Sequence, residues 1–240
     1  MSSTPQTVHR YTGTVREIRF VTPTVFHLVF EADQGFTFKA GQFLSVIVPV
    51  SAEKNLRRAY SIASAPEDTT HHLCVKLVDT GPGTNYLTGL KPGESFSFMA
   101  PYGHFIFRPG TGRTAVFVST GTGISPFHSI AFSKGFLDQP PPRSICLFGA
   151  RSEDELLYAD RFQTSTIEWV PCLSRPTGNW SGYRGRVTDF LRHQISHDAS
   201  FDFKAADFYL CGNGEMIREA KQLLFERGVE KAQIFQEAYF

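Results

Sequence analysis

Arg58-Ala59-Tyr60-Ser61 and Gly121-Thr122-Gly123-Ile124-Ser125-Pro126, about sixty residues apart, decide how this chain is read. In the first stretch an arginine fork suits a phosphate. The Tyr60 ring can stack on a planar heterocycle with its hydroxyl left to bond, and Ser61 can set a donor beside that ring. The second stretch is a tight glycine turn. It follows the β-branched run Ala115–Ser119 and precedes a predicted helix opening at Pro126, the context that a phosphate-binding turn requires. Proline at a helix start forfeits only a donor that has no partner there.

Around these stretches the rhythm of the chain changes. Residues 8–108 hold short apolar runs, Thr12–Phe20, Val25–Phe30, Gln42–Pro49, His72–Val78 and Ser95–Met99. Turn clusters such as Asp33-Gln34-Gly35, Pro66-Glu67-Asp68 and Lys91-Pro92-Gly93 separate them. That spacing predicts an antiparallel β-barrel, with a helical turn or short helix over Tyr86–Leu90. From Thr114 on, strands alternate with helices. Predicted strands are Ala115–Ser119, Ser144–Phe148, Thr166–Cys172, Asp207–Leu210 and Ile234–Glu237; predicted helices are Pro126–Phe136, Glu153–Phe162, Val187–Gln194 and Glu215–Arg227. This alternation predicts an α/β domain with a parallel sheet. The boundary falls at Pro109-Gly110-Thr111-Gly112, giving domains 1–110 and 111–240.

With 41% hydrophobic residues and 23 phenylalanines, the chain has material for a large core. A net charge of +1 gives no global field calling for nucleic acid or a membrane surface. Met1–Gln6 is polar and no spanning stretch occurs, so the expectation is a cytoplasmic protein. Cys74, Cys146, Cys172 and Cys211 are too widely spaced for a CxxC or iron–sulfur pattern, and no metal site is expected.

Two further segments extend the chemistry. Gly81-Pro82-Gly83-Thr84 offers turn amides and a hydroxyl ahead of a short helix beginning near Asn85, and amides at a helix start bind phosphate oxygens. Cys211-Gly212-Asn213-Gly214 follows Asp207–Leu210 as Gly121–Gly123 follows Ala115–Ser119. Two glycine-bearing strand ends in one sheet make a crevice of the kind in which such folds bind ligands. A chain with a flavin site in one half and a dinucleotide site in the other can move a hydride from nicotinamide to flavin.

At this point the chain resembles the ferredoxin–NADP⁺ reductase superfamily over nearly its whole length. Arg58-Ala59-Tyr60-Ser61 is similar to the family's RxYS flavin motif, and Cys74-Val75-Lys76 to the strand whose backbone passes the flavin pyrophosphate. Gly81–Thr84 is similar to its GxxS/T motif, and Gly121–Pro126 to GTGxxP. Cys211-Gly212 with Met216 is similar to the CG…M segment near the nicotinamide. The tail Glu237-Ala238-Tyr239-Phe240 is similar to family tails that end in an aromatic over the flavin. The resemblance implies a flavin-binding barrel followed by an NAD(P)-binding domain, with FAD as the flavin. It also implies hydride transfer between nicotinamide C4 and flavin N5, and single-electron exchange with ferredoxin or flavodoxin. Ser61, Cys211, Glu237 and Tyr239 are the implied catalytic positions. Tyr239 or Phe240 is the implied gate on the flavin face.

The strand ends also bear on cofactor choice. Arg151 follows Ser144–Phe148, Ser174-Arg175 follows Thr166–Cys172, and Arg184 and Arg186 come soon after. Arginine there suits an adenosine 2′-phosphate, and no acidic residue directly follows Val170, so the expectation is NADP(H). Two alternatives stand beside it: an NADH-dependent reductase component of an oxygenase system with a separate iron–sulfur protein, and a non-catalytic flavin or nucleotide redox sensor.

Overall fold

The computed structural model describes residues 7–51, 53–195 and 201–239. Six strands build the first unit: β1 (His9–Thr22), β2 (Val25–Ala32), β3 (Phe43–Ser51), β4 (Lys54–Ser61), β5 (His71–Lys76) and β6 (Ser95–Tyr102). They pair antiparallel in the order β4-β3-β6-β1-β2-β5. The two ends of that series meet, because Ile62 bridges Leu73 and Ala63 N–H donates to His72 O at 2.9 Å, so the sheet closes into a barrel. Alternation turns Val15, Phe26, Leu28, Phe30, Val46, Phe96 and Phe98 inward, where Phe30 meets Phe96 and Phe98 edge-on.

Strand β4 carries no apolar alternation, so the sequence pattern alone predicts no strand there. It forms because β3 supplies the pairing, with Val46 opposite Arg58 and Leu44 opposite Tyr60. Helix α1 (Pro82–Gly89) covers the barrel with Leu87, which is fully buried. It starts three residues before the expected Asn85, because Pro82 takes the first helical position and Thr84 anchors the turn. The Thr84 hydroxyl donates to Gly81 O or Val78 O, each 3.1 Å away, and accepts from Val78 N–H.

The second unit is a parallel sheet of β7 (Thr114–Thr120), β8 (Ser144–Ala150), β9 (Glu168–Leu173), the short β10 (Tyr183–Arg184), β11 (Ala206–Asn213) and β12 (Ile234–Tyr239). Its order, β10-β9-β8-β7-β11-β12, reverses direction at β7. The helices are α2 (Ser125–Ala131), α3 (Lys134–Leu137), α4 (Ala159–Gln163), α5 (Val187–Phe190) and α6 (Gly214–Glu226). Helix α6 shows why these residues fold so. Asn213 Oδ1 accepts from Glu215 N–H at 2.8 Å and Met216 N–H at 3.3 Å, capping the start. Met216, Ile217, Ala220, Leu223 and Leu224 then form one buried stripe against Val116, Val118, Phe208 and Leu210.

Three predicted helices are interrupted. Pro126–Phe136 is split into α2 and α3, preceded by a 3-10 turn at Gly121–Ile124. Glu153–Phe162 becomes a 3-10 turn at Glu153–Glu155 and the short α4, because Tyr158 takes a left-handed conformation at φ 57° that ends any continuous helix. Val187–Gln194 passes from α5 into a π turn at Leu191–Ile195. Strands β11 and β12 run past the expected ends at Leu210 and Glu237, so Cys211, Gly212 and Tyr239 are strand residues.

The compact units divide at Phe107/Arg108, and Ser125–Lys134, expected with the second domain, groups with the first. All four cysteines are buried free thiols. Among the described residues no helix is long and apolar enough to cross a membrane, and no cluster of His, Cys, Asp and Glu is arranged to hold a metal.

Barrel histidines make stability depend on pH. His27, on β2 beside the His72 ring, is held down at about 4 by burial, with the Arg19 charge acting in the same direction. Burial also lowers His71. A folded-state value below the unfolded one means that the unfolded chain binds more protons, so this stability is present at neutral pH. It is lost as pH falls from about 6.5 toward 4. Between about pH 7 and pH 5 His27 accounts for roughly 2 kcal/mol. Denaturant unfolding at both pH values should show a smaller loss for His27→Gln than for the parent chain; equal losses would clear His27 of the effect.

Candidate functional site

In the first unit, alternation along β4 puts Arg58 and Tyr60 on one face and Ala59 and Ser61 on the other. Arg58 and Tyr60 converge on the start of α1, where a methyl group at Gly83 would come within 2.7 Å of Arg58 Cγ and 2.9 Å of the Tyr60 hydroxyl. Only glycine admits that approach. The Gly83 and Thr84 amides open the helix ahead of its first bond, from Asn85 N–H to Gly81 O at 3.0 Å. Arg58 is exposed and has no carboxylate partner among the described residues, where its guanidinium donates to Arg57 O. Burial pushes Tyr60 up to about 12, so its hydroxyl is a donor at neutral pH. This is an arginine, a phenol and helix-opening amides with no anion among them, a donor set that fits a phosphate-bearing ligand such as FAD.

Ser61 closes β4, buried, opposite Phe43. Cys74, Val75 and Lys76 lie on β5, opposite His27, Phe26 and Val25. Val75 is core, Cys74 is buried and Lys76 is exposed. The Thr84 hydroxyl, expected to face a ligand, is turned into its own loop.

In the second unit the chemistry gathers where the strand order reverses, at the carboxyl ends of β7 and β11. The Gly121–Thr122–Gly123 turn lies on the end of β11. A Cβ at Gly123 would stand 2.5 Å from Cys211 O, and one at Gly212 would stand 2.6 Å from Thr120 Oγ1. Thr120 Oγ1 also accepts from Asn213 N–H at 3.1 Å, tying the two strand ends together. Gly121 itself has open space around it at φ 54°. Pro126 is buried in α2.

Pairing sets a row of side chains across this edge. Cys211 is opposite Ser119 on β7 and Glu237 on β12, and Asn213 is opposite Tyr239. Burial first, then the Glu237 charge, push the Cys211 thiol well above its ordinary range, while hydrogen bonds with the Tyr239 side chain and the Gly212 backbone pull part of the way back. The thiol is therefore protonated at neutral pH and is no nucleophile. Tyr239, the residue that the resemblance implies as a gate, is a laddered strand residue tied to Cys211; Phe240, the other implied gate, lies outside the described residues. Met216, expected near the nucleotide, is buried in the core under α6.

The strand ends beyond β8 and β9 differ in what they leave available. Arg151 pairs with Glu155 at 3.2 Å. Arg184 donates to the carbonyls of Thr177, Gly178 and Trp180, so it organises a loop. Ser174 is exposed, with its backbone N–H on Ala150 O. Arg175 is exposed and its guanidinium has no partner among the described residues. Ser119 carries a further signal that its sequence context alone does not single out. It is fully buried, its hydroxyl lacks a hydrogen-bond partner among the described residues, and it is opposite Cys211. Its signal was a lone serine ending an otherwise apolar run immediately before the glycine turn.

Comparison with known proteins agrees with this geometry. Residues 13–107 match the oxidoreductase FAD-binding domain family and residues 117–222 the oxidoreductase NAD-binding domain family. Ferredoxin–NADP reductase B of Sorangium cellulosum is 33% identical, over 92% of this chain and 94% of its own length. The reductase component of phenol 2-monooxygenase from Pseudomonas sp. is 29% identical over 97% of this chain, which spans 66% of that relative. The solved structure of a Neisseria gonorrhoeae ferredoxin NADP⁺ reductase with bound FAD and NADP has the same fold, with a TM-score of 0.83 at 23% identity over 97% of this chain and 99% of its own. The barrel with its donor cradle, the parallel sheet with its glycine turn at the reversal point, and a relative matched end to end lead to one conclusion: this chain belongs to the ferredoxin–NADP⁺ reductase superfamily and is an FAD- and NAD(P)-binding oxidoreductase.

Proposed function

We propose that this chain transfers hydride between NADP(H) and FAD and exchanges single electrons with a ferredoxin or flavodoxin. Residues 1–110 would serve as the flavin domain and 111–240 as the nucleotide domain. The observation that carries the reading is the row Cys211, Glu237 and Tyr239 on the carboxyl edge of the sheet, above the glycine turn. Bound FAD accepts a hydride in one step and gives up electrons singly, a conversion no side chain performs.

The residues of the chain bind and orient. Arg58 and the opening amides of α1 would hold the flavin phosphates, and Tyr60 would cover the ring with its hydroxyl protonated. Ser61 would offer its hydroxyl at the ring's redox edge. The Gly121–Gly123 turn would take the nucleotide pyrophosphate. The neutral Cys211 thiol would lie against the nicotinamide without reacting with it, and positioning of this kind acts on the reacting geometry. Arg175 would meet the 2′-phosphate, with Ser174 beside it. Tyr239 would leave the flavin face before hydride transfer.

A second reading, an NADH-dependent oxygenase reductase, is favoured by the carboxylates at the same edge. Glu155 holds Arg151, leaving one fewer free cation for a phosphate, and Glu153 adds a further carboxylate there, hydrogen-bonded by Thr177. Anaerobic mixing of the flavin-loaded protein with each nucleotide separates the readings. Rapid bleaching by NADPH and slow bleaching by NADH supports the proposal, the reverse order supports the oxygenase reading, and binding without bleaching marks a sensor.

Arg58→Ala should lose a charge-assisted phosphate contact worth roughly 1.5–3 kcal/mol, so FAD affinity should fall by about one to two decades. Fluorescence titration of the apoprotein reads this directly, and unchanged affinity removes Arg58 from the site. Arg175→Ala should raise KM for NADPH about tenfold or more while sparing NADH, because the contact is made equally in ground and transition states. Steady-state rates with both nucleotides check it, and an equal loss with each would make Arg175 structural.

A further inference from the structure

We propose that His128 is a positioning residue for the flavin site: its imidazole holds the backbone that carries on from Ser61. The inference rests on the reading of Ser61 given above. His128 is on α2, nearly fully buried, with Nδ1 2.7 Å from Ala63 O. A carbonyl oxygen only accepts, so Nδ1 bears the proton and donates it. The ring is wedged edge-on to His72, with centroids 5.5 Å apart, and lies 4.8 Å from Phe132. Neighbours on both sides thus oppose its rotation, and the donor stays aimed at the carbonyl.

The acceptor's place in the chain gives the contact its meaning. Ser61 is the last residue of β4, and each of the next three residues is fastened by a hydrogen bond. Ile62 N–H donates to Gln42 O at 3.1 Å, and Ala63 N–H to His72 O at 2.9 Å on β5. Ser64 Oγ is 3.4 Å from His72 N and from His71 Nδ1. Ala63 and Ser64 are fully buried, so water cannot replace a lost donor at Ala63 O. Removing the imidazole N–H leaves that carbonyl short of its side-chain donor, and the backbone can regain a partner only by shifting. Ser61, two residues upstream, shifts with it. None of this requires His128 to touch the flavin. It acts through Ala63.

Two substitutions separate positioning from bulk. His128→Phe keeps a ring of similar size and loses the donor. His128→Asn loses the ring and can set an amide N–H near the place of Nδ1. In the full-length protein, titration of the apoprotein with FAD and the visible spectrum of the bound flavin are read without nicotinamide, and flavin bleaching by NADPH is read with it. The expectation is that His128→Phe weakens FAD binding and slows bleaching by about tenfold each, with a shifted flavin spectrum and unchanged nucleotide affinity. His128→Asn should restore binding and spectrum toward the parent values. A phenylalanine variant with parent affinity and spectrum, or an asparagine variant no better than phenylalanine, overturns the proposal. Should His128→Phe fail to fold, the nitrogen-15 spectrum of the parent protein decides: the Nδ1–H tautomer is required, and Nε2–H contradicts it. If neither nucleotide bleaches the parent flavin, the functional reading fails while the FAD titration and tautomer still judge His128.

Discussion

The parallel pairing of β7 with β11 is the constraint on which the site depends. Thr114 opposite Ala206 fixes a register that brings Ser119 opposite Cys211 at the carboxyl end. Side chains alternate with period two along a strand, so a slip of one residue would take Cys211 out of its place opposite Ser119 and reverse which face of the sheet it lies on. The same register lets the Gly123 backbone rest on the Cys211 carbonyl, an approach that leaves no room for a side chain. Strand β12 then extends the row, with Glu237 opposite Cys211. The crevice is thus a product of topology first and side chains second, and the reversal of strand order at β7 is what leaves two strand ends free to diverge there.

The barrel solves a different problem. A flavin bearing phosphates needs fixed donors, and in the proposed reading the barrel would supply them from a strand and a helix that its core holds rigidly. Strand β4 is paired edge to edge with β3, whose Leu44, Val46 and Val48 are buried, while Leu87 pins α1 to the same core. Arg58 and Tyr60 meet the helix start because both elements are packed, not because the motif residues attract one another. The histidines around Ala63 carry the same logic one step further, into the loop that follows Ser61.

Much of this was legible in the sequence because glycine turns and strand ends leave local signatures. The alternation of apolar runs in residues 8–108 and of strands with helices beyond Thr114 gave the two architectures, which the sheets bear out. What was not legible depended on partners distant in the chain. Strand β4 is polar, and pairing with β3 makes it a strand. The helix expected over Glu153–Phe162 breaks because its carboxylates are drawn to Arg151 and Thr177 and Tyr158 turns left-handed. Arg184 reads from the sequence as a phosphate ligand, and the fold adds a role that only distant contacts show: its Nη2 lies within reach of three carbonyls of its loop. Met216 reads equally well as a cofactor contact and as core until the buried stripe of α6 is seen.

The central claim is that the row beside the glycine turn orients a nicotinamide for direct hydride transfer to the flavin. The most direct test is a single-turnover anaerobic reaction of the FAD-loaded protein with NADPH deuterated on one or the other face of nicotinamide C4. The account predicts that the flavin bleaches in one turnover and that deuterium on one face alone slows it, because a fixed ring presents a single hydrogen. Bleaching that ignores the label on both faces, or no bleaching at all, would contradict it.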